Sequence, residues 1–516
     1  MATVNVTWEQ YTNLQKSLED LKVNLDQFFL IVMGMVVYLM QCGFAFLEAG
    51  AVRSKNSTNI LIKNLMDSFV AGIAYWTIGY PLAYGSGNSF IGFSYWASEG
   101  LPDTEFASFF FQYVFAATAA TIVSGAMAER CEFIAYFVYS FVITAFVYPV
   151  VTHWVWTSDG WLAAGGTYDN GTITAVYQDF AGSGVVHILG GTAAFCGAVM
   201  LGPRLGRFHP DQRGPIDLRG HSVPLAALGG FILLFGFLAF NGGSALMISG
   251  EGSGASISVS VVNTIISGSM SAFVSLFIHK TGYFGTRHWS LLNTMNGALT
   301  GMVAACAGCN VLYPWGALIV GFFAGISYKI WSSLMHRLKV DDPLDAVAVH
   351  FGGGLWGVLS VAFLKREEGI VFAWDKKSGL NLAWQLAGVA AITAWTAILC
   401  VVMFGILRLL GKLRVDEALE RKGLDIPKHG EPAYPMESYG HGWVERILKV
   451  LEDGRLSEIK QVVPGIDNEG YKNDENHAIG FDSPEVEVMN NTRIKTTNHP
   501  YPTKNGVPRD LVTTQM

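Results

Sequence analysis

Two imidazoles stand where an oily chain tolerates them least. His187 lies in "GSGVVHILGG" (182–191) and His350 in "DAVAVHFGGG" (345–354), each inside an apolar run and each followed at the same offset by a pair of glycines. An ionisable side chain in a membrane span is costly and tends to face a cavity or pathway rather than lipid. One such histidine is explained by a hydrogen bond to a neighbouring helix; two in repeated phrases point to a shared task. Neutral imidazole donates through one nitrogen and accepts through the other, so a pair sharing a proton lines an apolar passage without a fixed charge. Such a passage suits a small molecule that both donates and accepts hydrogen bonds. Asp179 precedes His187 by eight residues. It reads equally as an N-cap of the same helix and as a carboxylate two turns up the same face, favouring a cation above the passage.

A second group of residues is aromatic. Phe111 and Phe115, in "FFFQYVFAATAA", are four apart and share a helix face. Trp156 sits in "HWVWTSDGW", and "AFNGGSA" supplies Phe240 and Ser244. An aromatic cup with one hydroxyl binds a monovalent ammonium-type cation by cation–π contact and a hydrogen bond, without the carboxylate ring of a metal-cation channel.

These residues need a scaffold, and composition names its class. Of 516 residues 51% are hydrophobic and 15% charged, with a mean hydropathy of +0.34. That is too oily for a soluble chain of this length. The net charge of −7 is spread over scattered residues, which excludes a nucleic-acid footprint. Measured against about 20 apolar residues per span, eleven spans are expected: 28–50, 59–83, 106–128, 133–153, 180–201, 223–246, 255–278, 290–308, 315–335, 344–364 and 383–407. The fold class is an all-α polytopic membrane protein. Alternate loops and adjoining span ends are rich in Lys and Arg, including Arg53, Arg130, Arg204, Arg207 and Arg337. The other set holds only Lys365, Arg366, Lys376 and Lys377. The basic set faces the cytoplasm, so the amino terminus is extracellular and the carboxyl terminus cytoplasmic. Asn5 and Asn170 are then outward glycan acceptors, whereas Asn56 and Asn490 stay bare.

The histidine phrases fall in spans five and ten, and "GFAFLEAG" (43–50) echoes "GFLAFNGG" (236–243) in spans one and six. Two echoes at matching places predict two five-helix repeats, inverted because five is odd, with one extra helix and the working site between them at the midplane. The domain plan is an amino-terminal segment at 1–27, a transmembrane domain at 28–410 and a cytoplasmic regulatory tail at 411–516. In the tail "HGWVERILKVLEDG" is expected to form an amphipathic helix, with disorder beyond 465. The six cysteines fall mostly in apolar stretches. Cys306 and Cys309 are read as small buried residues, not as a metal or redox site. Lys16, Glu19, Asp20, Lys22 and Asp26 precede the first apolar run, so no cleavable signal is expected. The carboxylates of "VDDPLD" (340–345) are expected to cap the tenth span.

"AGAVRSKN", "DFAGSGVVH", "AFNGGSA", "KVDDPLDAVAVH" and "GLDIPKHGEPAY" together resemble the Amt/Mep/Rh ammonium transporters, in the right order from about residue 30 to 434, and most closely the Amt-type eukaryotic branch. The resemblance implies a homotrimer with one pore per subunit. It implies that Phe115, Trp156 and Ser244 recruit ammonium, that Phe111 and Phe240 form a stacked phenyl gate, that His187 and His350 line the pore, and that Asp179 is the aspartate needed for transport. It also implies that "EALERKGLDIPKHGEPAY" packs beneath the pores as a coupling segment. Two residues depart from the pattern: Phe237 stands where many members have tryptophan, and Pro427 where plant members carry a regulatory threonine.

The function expected is selective transport of ammonium, and of its analogue methylammonium, across the plasma membrane. The cation is deprotonated and crosses as ammonia, with or without the proton following, past the twin histidines, with no cofactor, no metal and no enzymatic reaction. Membrane lipid surrounds the chain, and a cytosolic regulator of the tail is a candidate partner. The alternatives are an ammonium sensor signalling through the tail and, further off, a redox protein whose two histidines ligate a haem.

Overall fold

A computed structural model describes residues 7–209, 214–283 and 287–435, together with the strand backbones at 445–450 and 456–461. The chain divides into two compact units, Met1–Trp443 and Val444–Met516. Within the first, the long helices are α1 (Trp8–Ala51), α2 (57–84), α3 (Phe106–Met127), α4 (133–156), α5 (Ser183–Leu201), α6 (Val223–Gly243), α7 (Ser253–Thr281), α8 (Leu291–Ala305), α9 (Pro314–Arg337), α10 (Val347–Leu364) and α11 (Lys376–Leu409). Among the described residues nine helices are long and apolar enough to cross a membrane. The remaining two expected spans fall on α2 and α8, which are helical but below that measure. The chain is thus a multi-pass membrane protein.

Local chemistry explains several boundaries. α1 starts at a capping box: the Thr7 hydroxyl accepts from Gln10 N and the Gln10 side chain accepts from Thr7 N. Residues 8–27 form the first turns of a 44-residue helix that runs on into the first expected span. α2 and α4 each contain one π-helical turn, Tyr75–Gly79 and Ile143–Val147, just before a Tyr-Pro pair at 80–81 and 148–149. Proline lacks the N–H that the helix needs, and a widened turn ahead of it absorbs the break.

The helices meet through small and hydroxyl residues, as expected where lipid is as apolar as leucine. α1 lies along α6 so closely that a side chain on Gly50 would strike the backbone of Ala226, and one on Gly229 that of Leu47. α7 docks on α8 through Ser267 and Ser271, whose hydroxyls donate to Gly301 O (2.7 Å) and Gly297 O (2.6 Å). Cys306 and Cys309 are buried.

Two short hairpins depart from the all-α expectation. β1 (Gly166–Tyr168) pairs with β2 (Ile173–Ala175) between α4 and α5, and its turn exposes Asn170. In the second unit β3 (Glu445–Val450) pairs antiparallel with β4 (Leu456–Gln461). The amphipathic helix expected there is a strand: Asp453-Gly454 between two six-residue runs is a hairpin signal that outranks the helical pattern. Asn5 and the segment beyond 465 lie outside the described residues.

The basic loops are not merely a solvated face. Arg204 makes a bidentate pair with Asp341 (2.8 and 3.1 Å) and reaches Glu129 (3.1 Å), which also pairs with Arg53 (2.7 Å). Arg130, with no exposed surface, donates to the carbonyls of Ala128, Gly202 and Asp341. Burial opposes the charge on Asp341, yet Arg130 and Arg204 outweigh it and hold the carboxyl well below the usual carboxylate range. Residues 411–435 join this framework. Glu420 accepts from Leu205 N and pairs with Arg414 (2.7 Å), Asp425 accepts from Asn59 N at the start of α2 (2.9 Å), and Tyr434 bonds His221 (2.7 Å). Asn56, one of the sequons expected to stay bare, is buried and accepts from Leu424 N.

Removing one partner of such a buried network leaves uncompensated charge. Asp341→Asn is expected to cost about 3–5 kcal/mol, read as lower resistance to thermal or denaturant unfolding in detergent at pH 7. Because the folded pKa is depressed, the contribution is complete above the unfolded carboxylate value of about 4. The gap between wild type and variant should therefore hold from pH 8 to pH 5 and narrow only in stronger acid.

Candidate functional site

α5 and α10 each begin as a single π-helical turn, Ser183–Ile188 and Val347–Gly352, and each turn carries one histidine. The glycines that follow explain the repeated phrase. A side chain on Gly191 would strike the backbone of Phe351, and one on Gly354 would strike Ser183 O and crowd the backbone of Ile188. Each glycine stands four residues after its own histidine and touches the residue next to the other one. The two helices therefore cross at the histidines, and the rings come together: the Nδ1 atoms are 3.1 Å apart, with ring centroids at 5.2 Å and planes 18° from parallel. Both rings are buried, and His187 Nε2 has no partner among the described residues. At this separation no macrocycle fits between the nitrogens, so a haem held by the pair is excluded on geometry.

Aromatic rings cover the His187 side. Phe237 and Phe240 lie at 5.7 and 5.5 Å from His187. Phe240 stacks on Phe115 at 4.1 Å and 27°. Phe115 in turn meets Trp156 edge-on at 6.0 Å and Phe111 at 4.8 Å. The expected gate of Phe111 with Phe240 is thus corrected: the ring stacked on Phe240 is Phe115. One helical turn separates Phe111 from Phe115, and it is the later residue on α3 that is level with Phe240. The sequence showed that the two phenylalanines share a face but not which of them meets α6.

The hydrogen bonds of the cup leave particular groups available. Trp156 Nε1 donates to Asp179 O (2.7 Å), so its π face remains. The Ser244 hydroxyl donates to Phe240 O (2.7 Å), so its oxygen remains an acceptor. Asp179 is not on the helix two turns above His187, because the helix starts only at Ser183. Its carboxylate folds over that start and accepts from the N–H groups of Gly182 (3.1 Å), Gly184 and Val185 (both 2.8 Å). The carboxylate thus satisfies first-turn N–H groups from outside the helix, whose N-cap residue is Gly182, and does not share a helical face with His187.

Three features of the site were missed or only half read in the sequence, the first being which of the carboxylates of 340–345 caps the tenth span. Asp342 stands eight residues before His350, as Asp179 does before His187, and accepts from Val347 N (2.7 Å) at the start of α10. The equal offset was the available signal. Of the other carboxylates expected to cap this helix, Asp341 belongs to the arginine network and Asp345 accepts from Tyr328 and Ser332. Burial, followed by the neighbouring Asp345, pushes Asp342 up to about 7. Second, a cavity of about 30 Å³, room for roughly one water-sized molecule, is lined by His350, Phe44, Phe237, Asn296 and Glu48. Third, Glu48 is a buried carboxylate held by Lys63 (2.9 Å), Asn64 (2.9 Å) and Ser124. No spacing rule joins residues on α1, α2 and α3, so only the fold reveals this cluster. Among the described residues no group of three His, Cys, Asp or Glu is arranged to hold a metal ion.

Residues 27–434 match the Ammonium Transporter Family. A Caenorhabditis elegans protein named "Putative ammonium transporter 1" is 52% identical over 469 residues, covering 86% of each chain. "Ammonium transporter 1 member 3" of Solanum lycopersicum is 38% identical, over 80% of this chain and 93% of its own. A solved structure named "Sensor Amt Protein" is 32% identical with a TM-score of 0.72, covering 80% of this chain and all of the other. The chain belongs to the Ammonium Transporter Family.

Proposed function

We propose that this protein moves ammonium selectively across a membrane, with methylammonium as an alternative substrate. The observation that carries the proposal is the buried histidine pair. Two neutral imidazoles with Nδ1 atoms 3.1 Å apart share one proton, so one ring donates and the other accepts. Each ring then has its second nitrogen in the opposite role, which gives one outward acceptor and one outward donor. Ammonia matches both, and the unpartnered His187 Nε2 is a buried polar atom that a passing molecule would satisfy.

The cation is first held by the faces of Trp156 and Phe115 and by the Ser244 oxygen. At the Phe115–Phe240 stack it gives its proton to water on the outer side, and the neutral ammonia crosses at the histidines. Asp179 holds the start of α5, and hence His187, in place. Potassium has no proton to lose and no hydrogen bond to donate, so it meets an uncompensated desolvation penalty. The site needs no cofactor.

The architecture proposed is eleven spans, with α1–α5 and α6–α10 as inverted repeats and α11 outside them. It is supported by the echoes that the fold pairs, α1 with α6 and α5 with α10, and by the reciprocal glycine contacts. The family resemblance supports a homotrimer, and the Lys/Arg bias supports an external amino terminus and an internal carboxyl terminus. Residues 411–516 are proposed as the cytoplasmic regulatory tail. Sensing alone is not the reading adopted, since the curated relatives at 52% and 38% identity bear transporter names.

Uptake of labelled methylammonium by cells expressing the chain, alongside potassium uptake, tests the proposal: flux of the first without the second is expected, and equal flux would refute it. His350→Ala should lower methylammonium flux by about tenfold, the equivalent of one buried hydrogen bond, or admit other ions. Gly354→Val should do the same with the histidines intact, by forcing α5 from α10. Phe115→Ala is expected to change ion exclusion more than Phe111→Ala, read as potassium current under voltage clamp.

A further inference from the structure

The first turns of α1 carry a feature that transport does not use. Tyr11, Leu14, Leu18, Leu21, Leu25 and Phe28 follow one another at alternating steps of three and four, and their exposures run from 44 to 68%. Residues 8–25 are exposed throughout, so no other described part of the chain covers this stripe. At 1.5 Å per residue the 44-residue helix is about 66 Å long, against an apolar bilayer core of about 30 Å. Asp26 marks where the projecting part begins, accepting from Ile248 N (2.7 Å) and Ser249 N (2.9 Å) in the α6–α7 loop. A lone helix of about 20 residues is marginal in water, and one with a leucine stripe facing solvent is worse placed still.

A strict seven-residue repeat is the period of a left-handed coiled coil, in which a and d residues face a partner helix of the same period. We infer that residues 8–28 form a parallel coiled coil with the same segment of further copies of this chain. Two observations favour a second copy over any other partner. Every copy is set at the same depth by its own spans and points the same way, so identical seams stand side by side in register. The positions flanking the seam are Gln15, Ser17, Lys22 and Asn24, while Glu19, Asp20 and Asp26 lie away from it. Identical helices thus meet with little like-charge repulsion, and the seam runs on through Val32 and Met35 into the membrane span. The inference does not depend on ammonium being the substrate.

Cysteine scanning of the full-length chain in native membranes tests it. In a parallel, in-register coil the a and d residues meet their own counterparts. Mild oxidation of Leu14→Cys, Leu18→Cys and Leu21→Cys should therefore give covalent dimers on non-reducing gels. Lys16→Cys and Val23→Cys, on the far face, should stay at the background of the unmodified chain, which retains Cys42. Equal yields at all five positions, or none above background, would overturn the inference. So would an adduct whose mass is not a multiple of the chain's, which would identify a different protein on the seam. Protection of Leu18→Cys from a water-soluble thiol reagent, without cross-linking, would show the stripe lying on lipid and would overturn it as well. Flux of methylammonium through the same variants keeps this outcome separate from the transport reading.

Discussion

A polar group buried away from water must find a partner, and in this protein that requirement shapes the interior around one pair of rings. The histidines satisfy each other through their Nδ1 atoms, which leaves His187 Nε2 without a partner among the described residues. To meet, they need two helices whose backbones nearly touch, and Gly191 and Gly354 provide the approach. The helices in turn need fixed starting points. Asp179 and Asp342 supply them by folding their carboxylates over the first free N–H groups. Ring, glycine and carboxylate recur in the same order at the same offsets, so one solution to a solvation problem is used twice.

Much of this was legible in the sequence because it was written in intervals. The offset between histidine and glycine pair and the helical character of the apolar runs survive translation into structure. What was misread had ambiguous intervals. Phe111 and Phe115 are one turn apart, and only the depth of α6 selects Phe115 as the ring that stacks on Phe240. The eight residues from Asp179 to His187 describe two helical turns only if a helix lies between them, and Gly182, with φ of 101°, ends that assumption. The run at 445–450 was read by its apolar content and not by the Asp-Gly that follows.

What was not legible at all is three-dimensional by nature. Glu48 and Lys63 are the costliest kind of buried pair, yet each sits in its own helix without a motif. The positive-inside rule used the arginines of the loops only as a count, whereas Arg130, Arg204 and Arg53 knit four chain segments into one plate. Charge bias and structural network are the same residues seen at two scales. The serine stripe of α7 likewise looks like weak hydrophobicity in the sequence and like adhesive in the fold.

The Asp425 contact places the tail nearer to the passage than its distance in sequence suggests. That carboxylate holds the first turn of α2, and one turn further along the same helix Lys63 grips Glu48, which lines the small cavity beside His350. A tug on the tail at this point would be felt by one rigid rod before any loop could absorb it. Residues 411 to 435 are thus tied through α2 to the wall of that cavity.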